Sequence, residues 1–328
     1  MRISETVIIT GAAGQDARLL VEYLSNGQTK LVCCSRNPEL TKTLYKEFSS
    51  DVIHEQLDIS NTNRFVELVQ KYDPARIFNL AGLSSVVNSY SHPKDYLDIN
   101  GYAVEKILDA LHAKNLLGKT RFYQAASSEI FDPYEIKRRN ESSKKSPVSP
   151  YGRSKLYGFD VCKTFREKYG YFITSGILFN HESEYRTEEF LFGKVTNSLA
   201  RIKLGLQKQL SVGNLLSQRD WGSARDYVRA MDLMSTSEIP TDYVVATGNL
   251  HSVKEVISLA FDFCNLSGSI TDLLLSPDLK VRQNDYKNLC GDSSKISLEL
   301  GWKPELNFEE MVVQIQKAVL QKIISEHY

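Results

Sequence analysis

The chain has 328 residues, with 40 Lys and Arg balanced by 40 Asp and Glu, a length that suits one large domain carrying a smaller one. Zero formal charge gives no electrostatic case for nucleic acid or an anionic membrane surface and points to a small-molecule partner. The five cysteines (Cys33, Cys34, Cys162, Cys264 and Cys290) are odd in number and lack paired C-x-x-C spacing, so reduced, mostly buried thiols are expected rather than disulfides or zinc ligands.

Taken in chain order, β-branched or apolar runs predict strands at 6–10, 30–34, 52–56, 76–80, 121–126 and 172–178, with amphipathic helical stretches between them. Buried strands alternating with helices predict a doubly wound α/β fold, its parallel sheet covered on both faces. Asp73-Pro74 and His92-Pro93 punctuate the fourth crossover, because the residue before proline is pushed out of helical geometry. The polar stretch 132–149 reads as a solvated surface loop. Beyond about Phe179 the alternation gives way to helices near 188–204, 253–266 and 308–324, with short strands between them. The run Tyr243 to Thr247 predicts a strand that returns to the main sheet. The N-terminus runs directly into the first strand without leader features, and no segment reaches membrane-spanning length, so a cytoplasmic protein is expected.

Between the first strand and first helix lies TGAAGQDARLL. Gly11 and Gly14 supply the tight turn and close backbone approach that a pyrophosphate needs at a helix N-terminus, and Ala17 stands where a third glycine often sits. The second strand ends Cys34-Ser35-Arg36, where an NAD site would usually place an acidic residue for the ribose 2′-hydroxyl. An arginine there suits a 2′-phosphate and favours NADP. Asp58, after the third strand, is placed either to accept from the adenine amine or to cap the helix beginning near Ser60.

The segment SPYGRSKLYG sets Tyr151 and Lys155 four apart, on one helix face. A lysine so placed can stabilise an ionised phenol, turning it into a base near neutrality. The preceding strand ends AASSEIF, bringing Ser127 and Glu129 to its carboxyl end, where ligands lie in open α/β sheets. Ser127 can bond the oxygen whose proton Tyr151 removes. Alcohol oxidation needs no carboxylate, so Glu129 is either a strand-end surface charge or the agent of a second proton transfer, as in elimination of water. His54, His92, His112, His251 and His327 lack the mutual spacing of a metal site and no metal is expected. Trp221 could stack on a base or sugar or anchor a core, and Trp302 reads as packing beside the turn into the last helix.

TGAAGQD, FNLAG, RFYQAASSEIF, SPYGRSKLY, GILFNHES, VGNL with RDWG and DYV, and VATG with HSV together resemble the GDP-mannose 4,6-dehydratase family over nearly the whole chain. The resemblance implies a Rossmann-type doubly wound parallel sheet with a smaller mixed α/β C-terminal substrate domain. On that basis 1–180 form the NADP-binding domain, with a returning segment near 225–250, and 181–328 bind the nucleotide sugar. By motif match, Gly11, Gly14, Gln15, Asp16, Arg36, Asp58, Ile59, Leu80, Ala81, Ser84, Tyr96, Tyr151, Lys155, His181 and Arg186 would touch NADP. Ser85, Asn180, Lys194, Val212, Arg219 and Arg282 would line the GDP-sugar site, guanidinium groups suiting a pyrophosphate. The implied cycle is redox-neutral. Tyr151 takes the 4-hydroxyl proton as hydride passes from C4 to NADP, Glu129 removes the C5 proton and helps expel the C6 hydroxyl as water, and hydride returns to C6.

Four departures qualify the match. Ser127 replaces the usual threonine, keeping the hydroxyl but loosening its rotamer. The segment NPELTKTLYKEF after Arg36 is shorter than the family's tetramer-forming one, so a homodimer is expected in place of a tetramer, built by the helices around 93–115 and 150–169 with Ile107, Leu108 and Leu111 in their apolar stripe. Glu184-Tyr185 stand for a proline and an arginine. Gln283 and Tyr286-Lys287 alter the late arginine motif, leaving GDP-mannose, another GDP-hexose and a GDP-heptose open as substrates. An NADPH-dependent reductase or epimerase acting on a GDP-4-keto-6-deoxysugar would leave Glu129 idle. A non-catalytic NADP- or nucleotide-sugar-binding paralogue would have no use for the intact Ser127, Glu129, Tyr151 and Lys155 set.

Overall fold

The computed structural model describes residues 5–25, 27–48, 52–275 and 289–327; Arg282, Gln283, Tyr286 and Lys287 lie outside them. Strand and helix alternate through β1 (Glu5–Thr10), α1 (Gln15–Leu24), β2 (Thr29–Ser35), α2 (Pro38–Leu44), β3 (Val52–Gln56), α3 (Thr62–Tyr72) and β4 (Arg76–Asn79). The fourth crossover is broken into α4 (Val86–Ser89), α5 (Pro93–Leu97) and α6 (Ala103–Ala113), and leads to β5 (Arg121–Ser127), α7 (Pro150–Tyr169) and β6 (Ile173–Leu178). Then follow β7 (Asn180–Glu182), α8 (Leu191–Lys203), β8 (Leu210–Ser211), β9 (Gln218–Arg219), β10 (Trp221–Ser223), α9 (Ala224–Thr236) and β11 (Tyr243–Val245). The remainder is β12 (His251–Ser252), α10 (Val253–Phe263), α11 (Ile270–Leu273), β13 (Leu274–Leu275), α12 (Ser294–Leu300) and α13 (Phe308–His327).

Seven strands form one sheet in the order β11-β6-β5-β4-β1-β2-β3, and every pairing is parallel. Successive residues of a strand face opposite sides. Val7 and Ile9 of β1 therefore pack with Leu20, Val21, Tyr123 and Met231 on one side, while Ile8 joins Val32, Ile77, Leu108 and Phe122 on the other. This two-sided burial explains why the strands read as continuous apolar runs. A third core, apart from the sheet, gathers Leu199 of α8, Val256 and Ile257 of α10, and Val312 and Ile315 of α13 around Trp221.

The expected return to the sheet occurs, since β11 pairs with β6 from Tyr243 to Val245. Asp73 ends α3 in the left-handed conformation at φ 42, and Pro93 opens α5. Two expectations need correction. Ile107, Leu108 and Leu111 are fully buried within their own chain, against Phe122, Cys162 and Phe165, so they present no stripe to a second copy. The stretch 132–149 is not simply solvated: the Arg139 side chain is fully buried, its backbone pairs with Cys290, and the Glu141 carboxylate accepts from the Val244 amide of β11 at 2.8 Å. A polar run can be drawn inward when its charged groups meet backbone partners. All five cysteines are free and buried.

Candidate active site

The strand order reverses between β1 and β4, because β2 and β3 continue to one side and β4, β5 and β6 to the other. The crevice at the carboxyl ends of these strands is where such sheets bind ligands. Thr10, at the end of β1, accepts from the Leu80 and Ala81 amides at 3.1 Å each and donates to Asn79 at 2.8 Å, fixing the lip of the crevice. Gly11 stands at φ +67, and a Cβ there would lie 2.8 Å from the Ala81 backbone, so only glycine lets the turn approach β4.

A cavity of about 350 Å³ opens on this turn. Gly11, Gly14, Gln15, Asp16, Arg36, Asp58, Ile59, Leu80, Ala81, Ser84 and Arg186 all line it. Asp58 is not a helix cap. Asn61 caps α3, and Asp58 is exposed and accepts from the amide and hydroxyl of Ser60. A contiguous cavity of about 440 Å³ shares Asp16, Leu80, Ser84 and Arg186 with the first and is lined further by Ser127, Glu129, Tyr151, Lys155, His181, Ser85, Asn180 and Arg219.

The start of α7 brings Tyr151 and Lys155 into this second cavity. Ser149 accepts from the Gly152 amide at 3.0 Å as the helix cap, and Pro150 occupies the first turn. A Cβ on Gly152 would come within 2.3 Å of the Glu129 carbonyl, so glycine allows Tyr151 to lie beside the end of β5. Lys155 donates to the Ala125 carbonyl at 3.0 Å, with its ammonium 6.0 Å from the Tyr151 ring centre. Ser127 accepts from the Glu129 amide at 3.2 Å. Burial, reinforced by the Glu129 carboxylate, pushes the Tyr151 phenol up to about 12 against the opposing bond from Ser127. Burial pushes the Lys155 ammonium down to about 8. Burial thus opposes ionisation of the phenol, and a charged neighbour must offset it before Tyr151 can act as a base.

A polar seam joins the turn to β7. His181 bonds both oxygens of Asp16 at 3.0 Å, stacks on Tyr227 with ring centres 4.6 Å apart, and Gln15 donates to the His181 carbonyl at 3.1 Å. Burial alone would raise the Asp16 carboxyl, but His181 and Arg186 hold it well below the usual range, and Asp16 in turn raises the imidazole against its own burial.

The model of the family described as GDP-mannose 4,6 dehydratase matches residues 8–315. GDP-mannose 4,6 dehydratase of Cricetulus griseus is 33% identical over 342 residues, spanning 96% of this chain and 91% of the relative. The chain belongs to the GDP-mannose 4,6 dehydratase family. Two solved structures share its fold. RMD from Pseudomonas aeruginosa complexed with NADPH has a TM-score of 0.81 at 20% identity, covering 98% of this chain and 99% of the other. dTDP-glucose 4,6-dehydratase from Bacillus anthracis in complex with NAD has a TM-score of 0.83 at 17% identity, covering 99% of each chain.

Not every residue matched to the GDP-mannose 4,6 dehydratase family reaches a cavity. Tyr96 lines neither cavity and packs edge-on against Tyr151, with ring centres 6.2 Å apart. Lys194 and Val212 lie outside the lining of the second cavity, Val212 being buried in the third core. The substituted Glu184-Tyr185 pair also points elsewhere. Tyr185 donates to Glu22 at 2.6 Å beneath the Arg18 guanidinium, and Glu184 pairs with Arg225, so both serve the packing of α1 and α9. Trp221 lines the cavity but is 4% exposed, stacked on Phe308 with Phe192 at its edge, and so acts as a core anchor.

Asn100 went unread in the sequence. It sits in a π-helical turn over Asp98–Tyr102, clamps Leu83 through both its amide and carbonyl at 2.9 Å, and donates to Ser154 of α7 at 3.2 Å. An Asn-Gly pair within a helical pattern was its one available signal. Asp220 was likewise missed: buried in RDWG, it accepts from Thr247, Gly248 and Gly291.

Proposed function

We propose that the protein is an NADP-dependent GDP-sugar 4,6-dehydratase, a hydro-lyase producing a 4-keto-6-deoxy sugar. The observation that carries this reading is the placement of the Glu129 carboxylate in one cavity with Ser127, Tyr151 and Lys155. Oxidation alone would use the other three. Family membership supports the same reaction.

The residues present fit a nicotinamide dinucleotide. The glycine turn lines the first cavity at the N-terminus of α1, close against the Ala81 backbone in a way that a Cβ on Gly11 would prevent, and Arg36 rather than an acid follows β2. The solved structures of similar fold hold NADPH in one case and NAD in the other; Arg36 favours NADP here. Gly11, Gly14, Gln15 and Arg36 would hold it at the phosphates, and Tyr151 and Lys155 would stand at its reactive end. When bound, the nicotinamide supplies a hydride acceptor, a local positive charge and, in reduced form, the hydride donor for the last step.

The chain's own groups manage protons. With Lys155 and the positive charge of a bound nicotinamide favouring its ionised form, the Tyr151 phenolate would receive the proton of the sugar 4-hydroxyl while Ser127 holds that oxygen. Oxidation at C4 acidifies the neighbouring C5 hydrogen, which Glu129 removes and delivers to the departing C6 hydroxyl, releasing water. Asn180 and Arg219 would hold the sugar nucleotide, and the third core would be the substrate-binding part of 181–328, from which a segment near 225–250 returns to the sheet.

We further propose a homodimer, for which Val87, Tyr90 and Tyr102 provide exposed apolar surface around α4–α6. A cytoplasmic location remains the proposed one, and among the described residues no helix is long and apolar enough to cross a membrane.

The test is incubation with GDP-mannose and, separately, a GDP-heptose without added reductant, following product mass and NADPH absorbance. Loss of one water with no net NADPH change is expected for one of them. Consumption of a 4-keto-6-deoxy nucleotide sugar with NADPH oxidation, and no water loss from either substrate, would replace the dehydratase with the reductase.

A further inference from the structure

We propose that Tyr45 is a positioning residue for the cofactor's diphosphate, acting through the peptide that joins Ala12 to Ala13. This rests on the nicotinamide-dinucleotide reading of the first cavity. Tyr45 follows α2 and is 2% exposed. Its hydroxyl donates to the Ala12 carbonyl at 2.5 Å, while the Ala12 amide donates to the Cys34 carbonyl of β2 at 3.1 Å. Ala12 is itself fully buried, and Ala13 lines the cavity.

In a trans peptide the carbonyl and the following N–H point in opposite directions. Drawing the Ala12 carbonyl back into the protein thus turns the Ala13 N–H outward, toward the cavity. Amides presented in series at a helix N-terminus are what an anionic diphosphate binds. The Gly14 amide closes the turn on the Gly11 carbonyl at 2.9 Å, so the flanks of this peptide are also set. Tyr45 is held in turn by His54, whose ring is stacked 6.1 Å away at 13° and whose Nδ1 meets the Thr41 hydroxyl at 3.0 Å. The hydroxyl touches neither the cavity nor the reacting atoms, and its effect is to orient the peptide.

Tyr45→Phe removes one oxygen and leaves the ring on His54, so the variant retains its packing. The full-length wild type and variant are compared for binding of NADPH, which carries the diphosphate bridge, and adenosine 2′-monophosphate, which does not. About three- to ten-fold weaker binding of NADPH is expected, the worth of one neutral hydrogen bond, with adenosine 2′-monophosphate affinity unchanged. Equal weakening of both ligands, as from general loosening of the site, or no weakening of either, would overturn the proposal. Failure of the wild type to bind NADPH at all would remove the dinucleotide reading itself and the role of Tyr45 with it.

Discussion

Tyr151 and Glu129 line one cavity, and the proposed cycle gives each a different proton, so substitution separates them. Tyr151→Phe removes the proposed acceptor of the 4-hydroxyl proton and should lower kcat by roughly 10²- to 10⁴-fold, with KM for the sugar nucleotide little changed in steady-state assays. Glu129→Gln keeps the shape but not the base. It should permit oxidation at C4 while abolishing solvent-deuterium incorporation at C5 and water loss; undiminished water loss would assign elimination to another group. The Tyr-Lys spacing and the Ser127-Glu129 strand end were legible because each depends only on local periodicity. The shift of Tyr151 to about 12 was not, because it arises from burial by residues distant in sequence. Asn100 and Tyr45 escaped for a related reason: each acts on a backbone group brought near by the fold.

At the level of elements, the seam between α1 and β7 rests on an ion pair whose two halves respond oppositely to pH. The lowered Asp16 carboxyl gives stability that is present above its unfolded value of about 4 and lost as pH falls through its folded value. The raised His181 imidazole gives stability that is complete below its unfolded value of about 6.5 and lost as pH rises through its folded value. The seam is therefore strongest between about pH 4 and 6.5. Urea midpoints should fall as pH is raised from about 6 to about 8, and Asp16→Asn should flatten that trend; an equal slope in the variant would remove the pair as its source. The Tyr151–Lys155 helix face was readable in SPYGRSKLYG, but its cap at Ser149 and Pro150 was not drawn from the sequence. The inward path of 132–149 was not, since nothing near Arg139 or Glu141 in sequence discloses their partners at Cys290 and Val244.

For the whole molecule, the two tryptophans report separate cores: Trp302, bonded to the Asp226 carbonyl at 2.9 Å, lies in the core on one face of the sheet, and Trp221 in the third core. Asp220, next to Trp221 in the chain, gathers Thr247, Gly248 and Gly291. Single-tryptophan variants Trp221→Phe and Trp302→Phe should show coincident denaturant transitions by fluorescence. Adding Asp220→Ala should destabilise by roughly 3 kcal/mol through unpaired buried donors and draw the transitions apart. The parallel sheet was visible in the spacing of the apolar runs, whereas the helices of the third core were legible one by one but not their packing on Trp221, which joins segments far apart along the chain.

The late arrival of β11 also bears on how the chain is made. β6 gains its outer neighbour only after 179–242 have been synthesised, roughly 3–13 s at ordinary elongation rates. Throughout that interval the nascent sheet presents an unpaired apolar edge to the crowded surroundings of the ribosome. A chaperone or the emerging α9 would shield that edge until Tyr243–Val245 close it, so refolding of a chain truncated before 243 should show more aggregation than the full chain.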